Sequence, residues 1–189
     1  MRTKLFVPFA FVSLLSALCS PASGEIIDRV LAILPGQIIT QTDVQAALDL
    51  GLVEAAAGSD RFATGLSALI DRVLMLNEVR RVTPPEPSVA AVEARVGRIR
   101  QRFDSPAALA RVLAASGVDE TVLRVYAADD LRLASYLEER FSAASQPTDQ
   151  ELRQMAEAAR ATLVIERRRS LIAAWTSELR RRADVTILP

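Results

Sequence analysis

The chain has 189 residues, with 23 basic and 23 acidic side chains, one cysteine and no histidine. The absence of imidazole excludes Ser-His-Asp hydrolases, and with the only thiol, Cys19, inside a segment that reads as a cleaved leader, zinc enzymes and cysteine proteases are excluded as well. Half of the residues are hydrophobic and only 5% aromatic, which fits a helical globular protein.

Residues 1–24 read as a secretory signal peptide. Arg2 and Lys4 form a positive start, Leu5 to Leu18 is an apolar run broken only by Pro8, Ser13 and Ser16, and small residues follow at Ser20, Ala22, Ser23 and Gly24. Cleavage is expected after Ala22 or Gly24. Leu18 before Cys19 is too large for a lipoprotein signal. The run is shorter than the ~20 apolar residues of a membrane span, and no later segment is expected to cross a membrane. Removal of residues 1–24 takes away Arg2 and Lys4 but no acid, so the mature chain is slightly acidic and is not expected to bind nucleic acid. Lys4 is the only lysine, so every later cation is arginine. Residues 25–189 are long enough for one core, and a single domain is expected.

The β-branched run 26–34 is bounded by the turn signal Pro35-Gly36 and followed by Gln37-Ile38-Ile39, which predicts a short hairpin. Thr40 and Thr42 are candidate N-caps for a helix over about 43–52, and 55–59 is a small-residue linker. Phe62, Leu66, Leu69, Ile70, Val73 and Leu76 recur at helical spacing and predict a helix over 60–81, ended by the prolines of Pro84–Pro87. A third helix is expected over 88–103, with Val89, Val92, Val96 and Ile99 on one face. Ser105 and Pro106 open a short helix closed by Gly117. Asp119 caps the next, expected to reach Phe141 with a stripe of Val122, Tyr126, Leu133 and Leu137. After a linker at 142–146, one long helix is expected from Pro147-Thr148-Asp149 to Arg182, about 50 Å at ~1.5 Å per residue. The closing run 184–188 reads as a strand whose only good partner is 26–34, so the two ends of the mature chain are expected to pair. The fold class is therefore mainly α, with a small β-pairing of the terminal strands and a long C-terminal helix.

These segments, in this order, resemble the SurA family of periplasmic chaperones. The opening Ile27-Asp28-Arg29-Val30-Leu31-Ala32-Ile33, the turn and strand Pro35-Gly36-Gln37-Ile38-Ile39, and Thr40-Gln41-Thr42-Asp43-Val44 are similar to that family's strand, tight turn, strand and helix. Leu69-Ile70-Asp71-Arg72-Val73-Leu74-Met75-Leu76-Asn77-Glu78 resembles its second helix. Gly117-Val118-Asp119 resembles the segment before its isomerase domains. Trp175-Thr176-Ser177-Glu178-Leu179-Arg180 with Val185-Thr186-Ile187-Leu188 is similar to its last helix and closing strand. The resemblance covers nearly all of residues 25–189. It implies an ATP-independent holdase in the periplasm that binds unfolded outer-membrane or secreted polypeptides. Members of the family usually carry parvulin-type prolyl isomerase domains between the two halves, with histidines at the site. Here nothing of that size fits between Phe141 and Pro147 and histidine is absent, so no isomerase activity, catalytic residue, cofactor or metal is expected.

Other candidates read as structural. Asp129-Asp130 and Glu138-Glu139 are neighbours on a helix and point apart, so they do not form an acid–base pair and read as solvated faces. Arg167-Arg168-Arg169 and Arg180-Arg181-Arg182 fan around their helix, and the second run suits a helix C-terminus. Trp175, with Leu171 and Leu179 one turn to either side, reads as core, as do Met75 and Met155. Client-binding residues are not assigned by the sequence; the first place to look is the exposed apolar surface of the second and last helices. The alternative to a holdase is a structural or assembly partner of another periplasmic protein, docking through the last helix.

Overall fold

The computed structural model describes residues 28–54, 60–154 and 157–189; the expected leader, the start of the first strand and the linker at 55–59 lie outside the described residues. The chain is mainly α: seven helices and a three-stranded antiparallel sheet among the described residues.

Strand β1 (Val30–Leu34) turns at Pro35-Gly36 into β2 (Gln37–Thr40). Pro35 fixes one backbone angle and Gly36 takes the left-handed φ of 78° that closes so short a turn. The register pairs Ile33 with Ile38 and Leu34 with Gln37, and an irregularity falls between Val30 and Ala32. That bulge lets two consecutive residues, Leu31 and Ala32, both be buried, which a regular strand forbids. The last strand, β3 (Thr186–Ile187), pairs with β1, and the Leu188 N–H donates to the Leu31 carbonyl at 2.8 Å. The sheet order is β2-β1-β3, so the chain's late strand does pair with the early one.

Helix α1 (Gln41–Asp49) starts two residues earlier than expected, because Thr40 is the cap. The Asp43 N–H donates to the Thr40 hydroxyl at 3.3 Å and the Thr40 N–H donates to the Asp43 carboxylate at 2.8 Å, a reciprocal capping box. Helix α2 (Arg61–Val82) is capped by Asp60 and stops before the prolines with Thr83 at a left-handed φ of 50°. Helix α3 (Val89–Arg100) ends short of Phe103. Helix α4 (Pro106–Ser116) is opened by Ser105 and closed by Gly117, as the sequence indicates. Within α3, Gly97 has open space where a side chain would begin: a Cβ there meets nothing within 4 Å. Gly97→Ala is therefore expected to stabilise the protein by about 0.5–1 kcal/mol, read as a raised urea midpoint at constant slope.

Helix α5 (Glu120–Ser145) corrects two expectations. It runs on to Ser145, through the segment read as a linker, because Ser142–Ser145 contains no Gly or Pro to stop it and Ser145 is fully buried. Its buried stripe is Leu123, Ala127, Leu133, Tyr136 and Phe141, rotated from the expected one; Val122 and Tyr126 are only half-buried. Helices α6 (Asp149–Gln154) and α7 (Glu157–Arg182) occupy the span of the expected long helix, and the joint between them lies outside the described residues.

Two apolar clusters result. The larger gathers the sheet, α1, α2, the second half of α5 and the second half of α7 around Ile39, Val44, Ile70, Val79 and Trp175. The smaller packs α3, α4 and the first half of α5 around Leu50, Val96, Ile99 and Leu123. Helix α5 belongs to both, so it fixes one cluster relative to the other.

Candidate functional site

A cavity of about 610 Å³ forms a cleft between α1 and α4. Such a volume lies within the range of ligand sites. Helix α1 contributes Gln41, Thr42, Gln45, Ala46 and Asp49, and α4 contributes Ala108, Arg111, Val112, Ala115 and Ser116. Both sets recur every three to four residues, the spacing of one helix face. Phe103, Asp28 and Arg29 complete the lining. On α4, Leu109 and Leu113 are buried in the smaller cluster and Val112 packs half-buried against it, while Arg111 and Ala115 stay exposed along the cleft. Eight residue steps along α1 from Gln41 to Asp49 span roughly 12 Å, which matches roughly three to four residues of extended chain at ~3.3 Å each.

The charges around this cleft are mostly tied down. The Asp28 carboxylate accepts from the Thr42 N–H at 3.2 Å. The Thr40 hydroxyl, and then the Thr42 N–H, hold the Asp28 carboxyl below its ordinary range. Both Asp49 oxygens accept from the Gln45 amide at 2.9 Å. The Arg29 guanidinium donates to the Pro189 carbonyl. Arg111 has no partner among the described residues.

The acidic pair read as solvated is not so. Asp129 is only 6% exposed and the Asp130 side chain 12%. Asp130 pairs with Arg72 of α2 at 2.5 Å and with Arg95 of α3 at 2.6 Å. Asp129 pairs with Arg80 at 3.1 Å and with Arg132 at 2.9 Å. Adjacent residues on a helix do point apart, but α5 lies between other helices, so each direction meets a different arginine. These groups are ion-paired and lie where the two apolar clusters meet. Among the described residues, no group of three or more acidic side chains could hold a metal ion. Glu138 does lie at the surface, bound to Arg168.

The arginine runs have structural partners. Arg167 binds Glu151 and donates to the Gln146 carbonyl at 3.1 Å, tying α7 to α6 and to the end of α5. Arg167 holds the Glu151 carboxyl down to about 2. That tie is present above the ordinary carboxylate range and is lost on acidification from about 4.5 towards about 2. Arg180 binds Asp71 and the Ser67 carbonyl, tying α7 to α2, and Arg181 and Arg182 bind Glu178. Arg169 stays exposed with no ion pair among the described residues.

Trp175 is core. It is 8% exposed, with the Tyr136 ring at 5.7 Å and the Phe141 ring edge-on at 6.0 Å. Arg140 covers all three rings, 5.3 Å from the Trp175 centroid. Met75 packs against the same cluster and accepts a hydrogen bond from the Thr176 hydroxyl at 3.7 Å, while Met155 lies outside the described residues. The second helix leaves little apolar surface beyond Val82. The last helix offers a shallow face of Val164, Ile165 and Ile172, with Ile165 59% exposed. The larger of these two cavities lies between the first and fourth helices, where no sequence signal singled out a site. Half-buried Ala108 and exposed Ala115 look like ordinary helix surface until α1 is placed beside them.

No helix among the described residues is long and apolar enough to cross a membrane. No protein-family model matches the chain, and no curated protein matches it.

Proposed function

We propose that this chain is a periplasmic, ATP-independent holdase of the SurA type, reduced to the chaperone module, and that the cleft between α1 and α4 receives extended segments of unfolded outer-membrane or secreted polypeptides. The single observation that carries this reading is the cleft: about 610 Å³, with Phe103, Val112 and alanines for apolar side chains and Gln41, Gln45 and Thr42 as polar groups for a peptide backbone. The resemblance of the two ends of the chain to SurA-family segments and the leader-like residues 1–24 support the same reading. No catalytic residue, cofactor or isomerase activity belongs to it; turnover of a proline peptide above the uncatalysed rate would overturn that part.

The test is a pair of measurements on the purified protein. At a stoichiometric ratio it is expected to slow the aggregation of an unfolded outer-membrane protein, and to bind aromatic-rich peptides. Ala115→Trp, which fills the cleft from an exposed position, is expected to weaken peptide binding about tenfold or more, equivalent to about 1.4 kcal/mol. Its thermal midpoint should not move. Failure to slow aggregation, or undiminished binding by Ala115→Trp, would overturn the assignment.

A second reading has its own observation, the Val164–Ile165–Ile172 face of α7, where Ile165 is exposed and Val164 and Ile172 are half-buried. It makes the protein an assembly subunit docked on another periplasmic protein. Loss of a stoichiometric complex in Ile165→Glu, with peptide binding absent from the parent protein, would favour it.

A further inference from the structure

A second cavity, of about 130 Å³, lies between α1, α2 and the start of α5, where the two apolar clusters meet. We propose that it binds a neutral phenol, an aromatic ring bearing one hydroxyl, either as a free small molecule or as the tyrosine side chain of a polypeptide. The inference does not rest on the client-binding reading above.

Size sets the ring. An apolar cavity of ~150 Å³ in a protein core takes up benzene, and this one is close to that volume. Its floor is apolar, formed by the buried Ile39, Leu69, Val73 and Leu76. Gln37 and Arg80 are exposed, so the opening to solvent is on their side.

Charge makes the occupant neutral. Two cations and two anions line the cavity, Arg72, Arg80, Asp43 and Asp129, and all four are engaged. Arg72 pairs with Asp130, Arg80 pairs with Asp129, and the Asp43 carboxylate accepts from the Thr40 N–H at 2.8 Å. An ionic ligand would have to break one of these contacts or enter without a counter-charge, and an uncompensated charge is costly to bury.

The hydroxyl has a place to bond. Tyr126 is half-buried in the wall, and neither its hydroxyl nor the Gln37 side-chain amide has a hydrogen-bond partner among the described residues. Burial, and then the nearby Asp43 carboxylate, push the Tyr126 hydroxyl up, so it keeps its proton and can donate. A ligand hydroxyl accepts from Tyr126 and donates to the Gln37 amide oxygen; a bare ring does neither. Ala46 and Ser116 line both this cavity and the α1–α4 cleft, so a tyrosine on a segment in the cleft would stand beside it.

The experiment titrates the full protein with 4-methylphenol, toluene and 4-methylbenzoate, followed by chemical-shift changes. The phenol is expected to bind with a Kd of about 0.1–1 mM, a range suited to ~8 non-hydrogen atoms. Toluene should bind about five- to tenfold more weakly for want of the hydroxyl, and the anionic benzoate more weakly still. Tyr126→Phe should bring the phenol to the level of toluene while toluene is unchanged, a split that a merely structural tyrosine would not produce. Val118→Trp, which fills the cavity from a half-buried loop position, should abolish both, with unchanged thermal midpoints checking the fold of each variant. Competition by a tyrosine peptide but not by its phenylalanine counterpart would support the site with a polypeptide source. Phenol binding that neither peptide competes with would support it with a free small molecule. No phenol binding, equal affinity for phenol and toluene, tighter binding of the benzoate, or phenol binding unaltered in Tyr126→Phe would overturn the proposal and leave the holdase reading standing.

Discussion

Asp130→Leu is expected to lower the unfolding free energy by about 3–5 kcal/mol, the usual cost of removing one partner from a buried ion pair. The Asp130 carboxylate is shared by Arg72, whose side chain is 10% exposed, and by Arg95, 25% exposed. Without it, two guanidiniums remain in a poorly hydrated junction with no counter-charge. The leucine supplies apolar contact but no acceptor, and the loss is a large fraction of the 5–15 kcal/mol that typical domains have. Urea unfolding followed by far-ultraviolet circular dichroism would measure it, with an unchanged slope confirming that the native state stays compact. The mechanism makes a further demand. The triple variant Arg72→Met, Arg95→Leu, Asp130→Leu should recover most of the loss, because charges removed together leave none unpaired. If the triple variant is as unstable as the single one, the cost lies in packing around α5 and not in stranded charge. Arg181→Ala, at an exposed pair with Glu178, is the control and should leave the midpoint where it is.

Trp175→Ala is expected to cost a similar amount, about 3–5 kcal/mol, by the loss of a large buried ring and the cavity left behind. The ring joins α7 to α5 through Tyr136 and Phe141, and its neighbours Leu171 and Leu179 continue the contact along α7. Trp175→Phe keeps most of the volume and should cost about 1–1.5 kcal/mol. Trp175 is the only tryptophan, so its fluorescence reports on this junction alone: a blue-shifted emission in the native state that moves red on unfolding. A tryptophan lining a client groove would behave in the opposite way. Its replacement would weaken peptide binding and spare stability, and its emission would shift when peptide is added. Stability lost with no shift on peptide addition is the expected pair of results.

Much of this fold was legible along the chain because its punctuation is chemical and local. Thr40, Ser105 and Asp119 each satisfy backbone N–H groups within three residues, as do Asp60 and Ser88, which were expected inside their helices, and Pro35-Gly36, Pro84 and Gly117 stop elements by their own geometry. Even the pairing of β3 with β1 followed from elimination, since a lone strand must find an edge. Where local signals were absent the reading failed. Nothing between Ser142 and Ser145 stops or favours a helix, and α5 continued because Ser145 is buried there.

Asp129 and Asp130 illustrate the other limit. Their sequence gives adjacent acids on a helix, which is the pattern of a hydrated face. Burial is a property of what surrounds the helix, and α5 happens to run between α2 and α3, each bringing an arginine. The cleft is a case of the same kind. Ala108, Arg111, Val112 and Ala115 share one side of α4, but a side becomes a wall only when α1 stands opposite at the distance its own small residues allow. By itself the sequence determined the mainly helical class, several of the caps and turns, the terminal strand pairing and the absence of imidazole chemistry, because these depend on residues close together or on composition. Only the tertiary structure decided which charges are buried, which stripe of α5 faces inward and where a cleft opens. Those depend on distances between residues far apart in the chain, which no periodicity encodes.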